Sequence, residues 1–330
     1  MNERSQAALW RKAAVLGSLW ASCEIVLGSF LHNARIPMRG HFMTFIAVAL
    51  LVAGHRLWPE RGLLWRSGLI CAALKTISPS AFIFGPMLAI SCQSFLLELA
   101  VAVAGANPLG YVLGGGLAMT WSLLHKIGRI LLFYGPEAAA LYGRAWQQAR
   151  LWLGLSHAGP WIPLLLLGAA NFLAGSMAAV IGLKVGEAPA PAGPPVPRPL
   201  PDLPSPSRPA LFPYLYRILK RPKLWLGVLI ASTLAGLLLR PGGGFWIGLR
   251  MGMRAVILTL GFAAIGWWLR SSALMARLTA GRRGLFLSTL DCAFNALPGF
   301  VAALPPGREI LRNPVVCLRQ MLAQVSARES

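Results

Sequence analysis

Apolar runs of membrane-spanning length dominate this chain, and a proline tract splits them into two unequal blocks. The tract, Gly186 to Ala210, reads GEAPAPAGPPVPRPLPDLPSPSRPA and holds ten of the 25 prolines. Proline lacks a backbone donor, so such a stretch can neither cross a bilayer as a helix nor join a packed core. The composition predicts an extended polyproline-like spacer, reaching roughly 75 Å at about 3.1 Å per residue. Three parts are expected: a first module over residues 1–185, a linker over 186–210 and a second module over 211–330.

Mean hydropathy of +0.61, 56% apolar residues and only 12% charged ones exclude an ordinary water-soluble domain, in which about a quarter of residues carry charge. The expected spans are Ala13 to Leu31, Met43 to Trp58, Leu63 to Leu74, Phe82 to Val103, Leu109 to Phe133, Trp161 to Leu183, Leu224 to Leu239 and Phe245 to Leu269. Most approach the ~20 residues that cross a bilayer, while Leu63 to Leu74 is short. The reading is therefore an all-α polytopic membrane protein with six spans before the linker and two after it. Glu3, Arg4, Arg11 and Lys12 precede the first span, with no small-x-small cleavage pattern before Asn33, so that span is expected to stay attached.

The net charge of +21 does not point to nucleic acid, because the basic residues cluster at span ends, in the linker and in the tail. Arg4, Arg11 and Lys12 place the N-terminus in the cytoplasm. Arg208, Arg217, Lys220, Arg221 and Lys223 return the linker there, and Arg270, Arg277, Arg282 and Arg283 keep the C-terminal tail inside. Arg35 and Arg39, in a loop placed outside, run against the trend. The bacterial cytoplasmic (inner) membrane is the expected location. Cys23, Cys71, Cys92, Cys292 and Cys317 have no CxxC spacing and an odd count, indicating neither a metal knuckle nor a disulfide framework.

Within the first module, Ala13, Gly17 and Ala21 recur every four residues and line one helix face with small side chains. That face suits close helix packing, either inside its own bundle or against a separate docking module. Glu24, one turn beyond, lies near mid-membrane, where a charge needs a partner, a cavity or a ligand. The helix leaves through Leu31-His32-Asn33-Ala34-Arg35-Ile36-Pro37, a polar cluster closed by a helix-stopping proline. Ile77-Ser78-Pro79-Ser80 and Phe84-Gly85-Pro86-Met87 interrupt the apolar pattern, which at membrane depth is tolerated where protein or water satisfies the backbone. Gln93 and Glu98 follow five residues apart and so do not share a helix face. Gly114, Gly115 and Gly116 soften the fifth span, and His125 and Lys126 interrupt it near its end; the lysine is expected to snorkel. Glu24, His32, Asn33, Ser78, Gln93, Glu98 and His125 are thus the candidates for a small-molecule site inside a bundle.

The segments Leu16-Gly17-Ser18-Leu19-Trp20, Gly28-Ser29-Phe30-Leu31-His32-Asn33, Ile77-Ser78-Pro79-Ser80 and Gly85-Pro86-Met87 resemble the substrate-binding S component of energy-coupling factor (ECF) vitamin transporters over about residues 8–184. The resemblance implies a six-helix bundle whose first-helix motif of alanines four apart, matched here by Ala13, Gly17 and Ala21, docks a coupling component. In the second module, Arg250-Met251-Gly252-Met253-Arg254-Ala255, Ala276-Arg277, Ala296-Leu297-Pro298 and Ala327-Arg328 resemble a shortened coupling (T) component over about residues 211–330. That likeness implies contact of Arg277 and Arg328 with ATPase subunits, although Glu329 stands where a small residue is usual. Two amphipathic helices are expected in the tail. Leu285 to Leu297 carries Asp291 and Asn295 on one face, and a second helix presents Leu311, Val315, Leu318, Leu322 and Val325 as its stripe.

No GxxxxGK[ST] motif occurs, so ATP would be used by a partner chain. The expected function is a membrane subunit of ATP-driven micronutrient or vitamin uptake, meeting ABC-type ATPases, a small-molecule substrate and membrane lipids, with no cofactor or metal of its own. Alternatives are a membrane scaffold or assembly protein, or a membrane-embedded lipid-modifying enzyme. The enzyme lacks its usual devices, since the only aspartates are Asp202 and Asp291 and no HExxH occurs.

Overall fold

The computed structural model describes residues 3–33, 38–75, 84–154, 157–187, 222–239 and 244–269, with eight tail residues: Thr289, Leu290, Ala293, Leu297, Phe300, Val316, Cys317 and Gln320. Among the described residues the fold is all-helical: α1 (Glu3–Asn33), α2 (Arg39–Leu57), α3 (Leu63–Leu74), α4 (Phe84–Ala104), α5 (Pro108–Tyr134), α6 (Pro136–Trp152), α7 (Ile162–Glu187), α8 (Pro222–Leu239) and α9 (Gly244–Leu269). Every expected span coincides with a helix. Three of them, α2, α4 and α7, are long and apolar enough to cross a membrane, which gives the chain the character of a membrane protein. The addition is α6, PEAAALYGRAWQQARLW, too polar to register as a span and without a buried residue. Most of the proline tract, from residue 188 onward, lies outside the described residues.

The chain divides into two compact units, and the division does not follow the proline tract. Unit 1 comprises residues 1–122, 170–205 and 272–330; unit 2 comprises 123–169 and 206–271. Helices α8 and α9 belong with α6, and the tail belongs with the first helix.

In unit 1, α1 is buried nearly all round. Leu9, Ala13, Leu16, Leu19, Trp20, Cys23, Leu27 and Leu31 fall on several faces, the signature of a central helix. Its small-residue face is spent on internal packing: Ala13 and Ala21 are buried, and a Cβ on Gly17 would lie 2.7 Å from the Ser67 carbonyl oxygen and 2.9 Å from Ile70 Cβ of α3. Packing within its own bundle, one of the two uses expected for this face, is observed. The tail adds a second internal contact. Ala293, Leu297 and Phe300, at helical spacing, join the same core, and Ser18 Oγ donates to the Ala293 carbonyl at 3.1 Å. These tail residues pack inward, as the apolar side of an amphipathic helix does.

Contacts fix the directions of the helices. Lys12 meets Glu60, Gly17 meets Ser67 and Glu24 meets Lys75, so α1 and α3 run parallel. Gly54 abuts Leu16, and Gly68 abuts Ser94, so α2 and α4 run the other way. Gly115, Gly116 and Val112 of α5 face Gly175, Phe172 and Ser176 of α7 in antiparallel order. Gly182 and Gly186 of α7 lie against Ala49 and Ala53 of α2 in parallel order. The three glycines expected to soften α5 instead admit different neighbours. A Cβ on Gly114 would meet Leu97 at 2.6 Å, one on Gly115 the Gly175 carbonyl oxygen at 2.5 Å, and one on Gly116 the Phe172 ring at 2.5 Å.

Unit 2 has a smaller core of Ala235, Leu239 and Met251, with Tyr134, Leu141 and Ile247 against it. The hairpin of α8 and α9 closes through Gly236, Gly244 and Gly248, whose backbones touch. Arg144 of α6 donates to the carbonyl oxygens of Leu238 and Leu239, satisfying acceptors that the end of α8 leaves open. Gly135, at φ 76° and ψ −166°, joins α5 to α6 in an extended positive-φ conformation that glycine adopts without a Cβ clash.

Candidate functional site

Unit 1 holds its polar side chains at two levels. At the first, α3 begins. Glu98 of α4 accepts from the backbone N–H groups of Gly62 at 2.6 Å and Leu64 at 3.0 Å, filling donors that the first turn of a helix cannot satisfy internally. Around this cap, His55 Nδ1 lies 2.7 Å from Tyr111 Oη, and its Nε2 lies 3.3 Å from the Glu60 carbonyl oxygen. Lys12 pairs with Glu60 at 2.5 Å, and the Arg66 guanidinium sits 5.2 Å from the Trp10 ring centre and 4.6 Å from that of Trp65. These groups answer one another, so this level reads as a structural cap at the end where α1, α3 and α5 start.

The second level lies at the other end of α3. Lys75 Nζ donates to Glu24 Oε2 at 3.1 Å, and both side chains are 14% exposed. Gln93 Nε2 donates to Thr44 Oγ1 at 3.1 Å, and Thr44 Oγ1 in turn donates to the Gly40 carbonyl at 2.9 Å. Taking charges out of water costs several kcal/mol per ion, which a single good ion pair only partly offsets. The retained pair is therefore a costly polar feature of this bundle. It can bind both signs of charge, because a ligand anion can compete for Lys75 and a ligand cation for Glu24.

The seven sequence candidates separate on this geometry. Glu24 and Gln93 lie in unit 1, each with a protein partner. Glu98 is engaged at the opposite end of α3. From Leu64, which it caps, to Lys75 the helix rises about 16 Å at ~1.5 Å per residue, so Glu98 and Glu24 do not share a site. His125 belongs to unit 2. Ser78 and the side chains of His32 and Asn33 lie outside the described residues, as do Arg277 and Arg328. Sequence reasoning missed Lys75, Thr44, His55 and Tyr111. The one available signal was a lysine directly after the apolar run Leu63–Leu74, a position that normally reads as snorkelling.

Among the described residues, no group of three or more His, Cys, Asp or Glu is arranged to hold a metal ion. No family model, curated protein or solved structure matches the chain.

Proposed function

We propose that this chain is the membrane subunit of an ATP-driven micronutrient or vitamin uptake system of the energy-coupling factor kind, set in the bacterial cytoplasmic membrane with both termini inside. The observation that carries the reading is the Glu24–Lys75 ion pair, a largely buried charged site kept within the helix bundle away from the polar cap at its other end. The alternating directions of α1 to α5 and α7 support a six-helix substrate-binding bundle for unit 1. Glu24, Lys75, Thr44 and Gln93 would hold the substrate. His32, Asn33 and Ser78 would add to them, since Asn33 closes α1 and Ser78 follows Lys75 by three residues. Glu98 and His125 drop out of this site.

Entry of a substrate carrying both an acidic and a basic group would exchange the internal pair for two pairs with the ligand, so the site would keep its neutrality while loaded. The chain has no ATPase motif, so separate ABC-type ATPase subunits would supply the energy, with Arg277 and Arg328 proposed as their contacts on the strength of the resemblance. The test is purification of the tagged chain from its native membrane, followed by mass spectrometry of co-purifying proteins and small molecules. An ATPase together with a bound metabolite is the expected result. Recovery alone, or with a biosynthetic assembly, would turn the reading to the scaffold or the lipid-modifying enzyme.

A further inference from the structure

Unit 2 carries a groove of about 550 Å³, lined by Leu132 of α5 and by Trp246, Leu249, Arg250, Met253, Arg254, Ile257 and Leu258 of α9. Along α9, Trp246, Arg250, Arg254 and Ile257 recur at spacings of three or four residues and so share one stripe. The order along that stripe is aromatic, cationic, apolar. Trp246 is 72% exposed at one end of the stripe. Glu137 is ion-paired with Arg250 through Oε1, and its Oε2 and the Arg254 Nη1 both border Gly135, so two guanidinium groups here face a single carboxylate. The groove therefore combines a surplus positive charge with a long apolar wall, in a helix whose composition suits a membrane. A phosphate alone would leave the wall of Leu132, Met253, Ile257 and Leu258 uncovered, and an uncharged lipid would leave the surplus charge unanswered.

We propose that this groove binds an anionic glycerophospholipid of the surrounding membrane. Its headgroup phosphate sits on Arg254 and shares Arg250 with Glu137, and one acyl chain lies along Met253, Ile257 and Leu132. The proposal is independent of the transport reading, because every lining residue belongs to unit 2 and none belongs to the Glu24–Lys75 site.

The test uses the full chain, purified in mild detergent from membranes containing phosphatidylglycerol and phosphatidylethanolamine, with retained lipid counted per protein by mass spectrometry. The wild type is expected to retain phosphatidylglycerol in excess of its share of the membrane. Arg254→Gln is expected to lower that retention about fivefold, since each cation near an anionic lipid surface contributes on the order of 1 kcal/mol. Arg11→Gln, an exposed charge in unit 1, should leave it unchanged. Ile257→Trp, which fills the groove and keeps both arginines, should also release the lipid, and it stands in if Arg254→Gln does not fold. Washing with inorganic phosphate should not displace the lipid, because the acyl chain holds it. Retention unaffected by both groove variants, or lost equally in Arg11→Gln, would overturn the proposal.

Discussion

At the scale of single residues, the buried charges are held by partners distant in sequence. Glu24 was legible as an acid within an apolar run and in need of an answer, but the answer, Lys75, stands 51 positions away and was invisible to spacing. Glu24→Gln removes one partner and leaves an ammonium 14% exposed among apolar helices. It is expected to lower stability by about 2 kcal/mol, below the roughly 3–5 kcal/mol of a fully buried pair because both groups keep some solvent. The double variant Glu24→Gln/Lys75→Met should recover most of that loss, as unfolding midpoints in detergent would show. If the pair also binds substrate, the stable double variant will have lost the co-purifying metabolite. Glu98 makes a contrasting prediction. Glu98→Ala removes the acceptor for Gly62 and Leu64, so amide hydrogen exchange at residues 62–66 should accelerate roughly tenfold, as expected from loss of about 1–2 kcal/mol of capping. Exchange in α7 should be unchanged.

At the scale of helices, hydropathy located eight of the nine among the described residues, since a bilayer-length apolar run is a strong local signal. Helix α6 escaped because its sequence mixes Glu137, Arg144, Gln147, Gln148 and Arg150 with its apolar residues and it buries none of them. The start of α1 was read ten residues late, because its polar first turns are helical without being apolar. The glycines of α5 were recognised but misread. Their role depends on what stands opposite, and only the fold supplies Leu97, Gly175 and Phe172. Where apolar surface against lipid provides no drive between helices, close backbone approach is what holds them together. Gly115→Ala places a methyl 2.5 Å from the Gly175 carbonyl oxygen and 2.9 Å from Ala179 Cβ, and should cost about 1–3 kcal/mol by overpacking. Gly168→Ala in α7, where an added Cβ meets nothing within 4 Å, is the matched control and should be neutral. A thermal-shift comparison separates the two, and equal shifts would refute the close-packing account.

At the scale of the whole molecule, the proline tract marks a boundary in composition, while the two compact units draw on both sides of it. Composition marks a segment that does not pack, but it does not say which flanking elements meet each other. Those partnerships rest on contacts between residues far apart in the chain: Ser18 with Ala293, Arg144 with the end of α8, and Arg250 with Glu137. Each unit draws on both sides of the tract. Unit 1 takes its tail from residues 272–330, and unit 2 joins 123–169 to 206–271. Cutting the tract therefore does not release one module from another. If a protease site is inserted after Pro199 and cleaved in the folded, detergent-solubilised protein, the two fragments should co-elute on size exclusion and melt together. Cleavage costs only the effective concentration that the linker supplied, and the buried contacts on both sides remain. Modules folded separately on either side of the tract would instead part on the column. The same cut tests the tail: with a second site at residue 271, fragment 272–330 should stay bound through Ala293, Leu297 and Phe300. Replacing Ala293 by Trp, at a position with no exposed surface in the core around α1, should then release it.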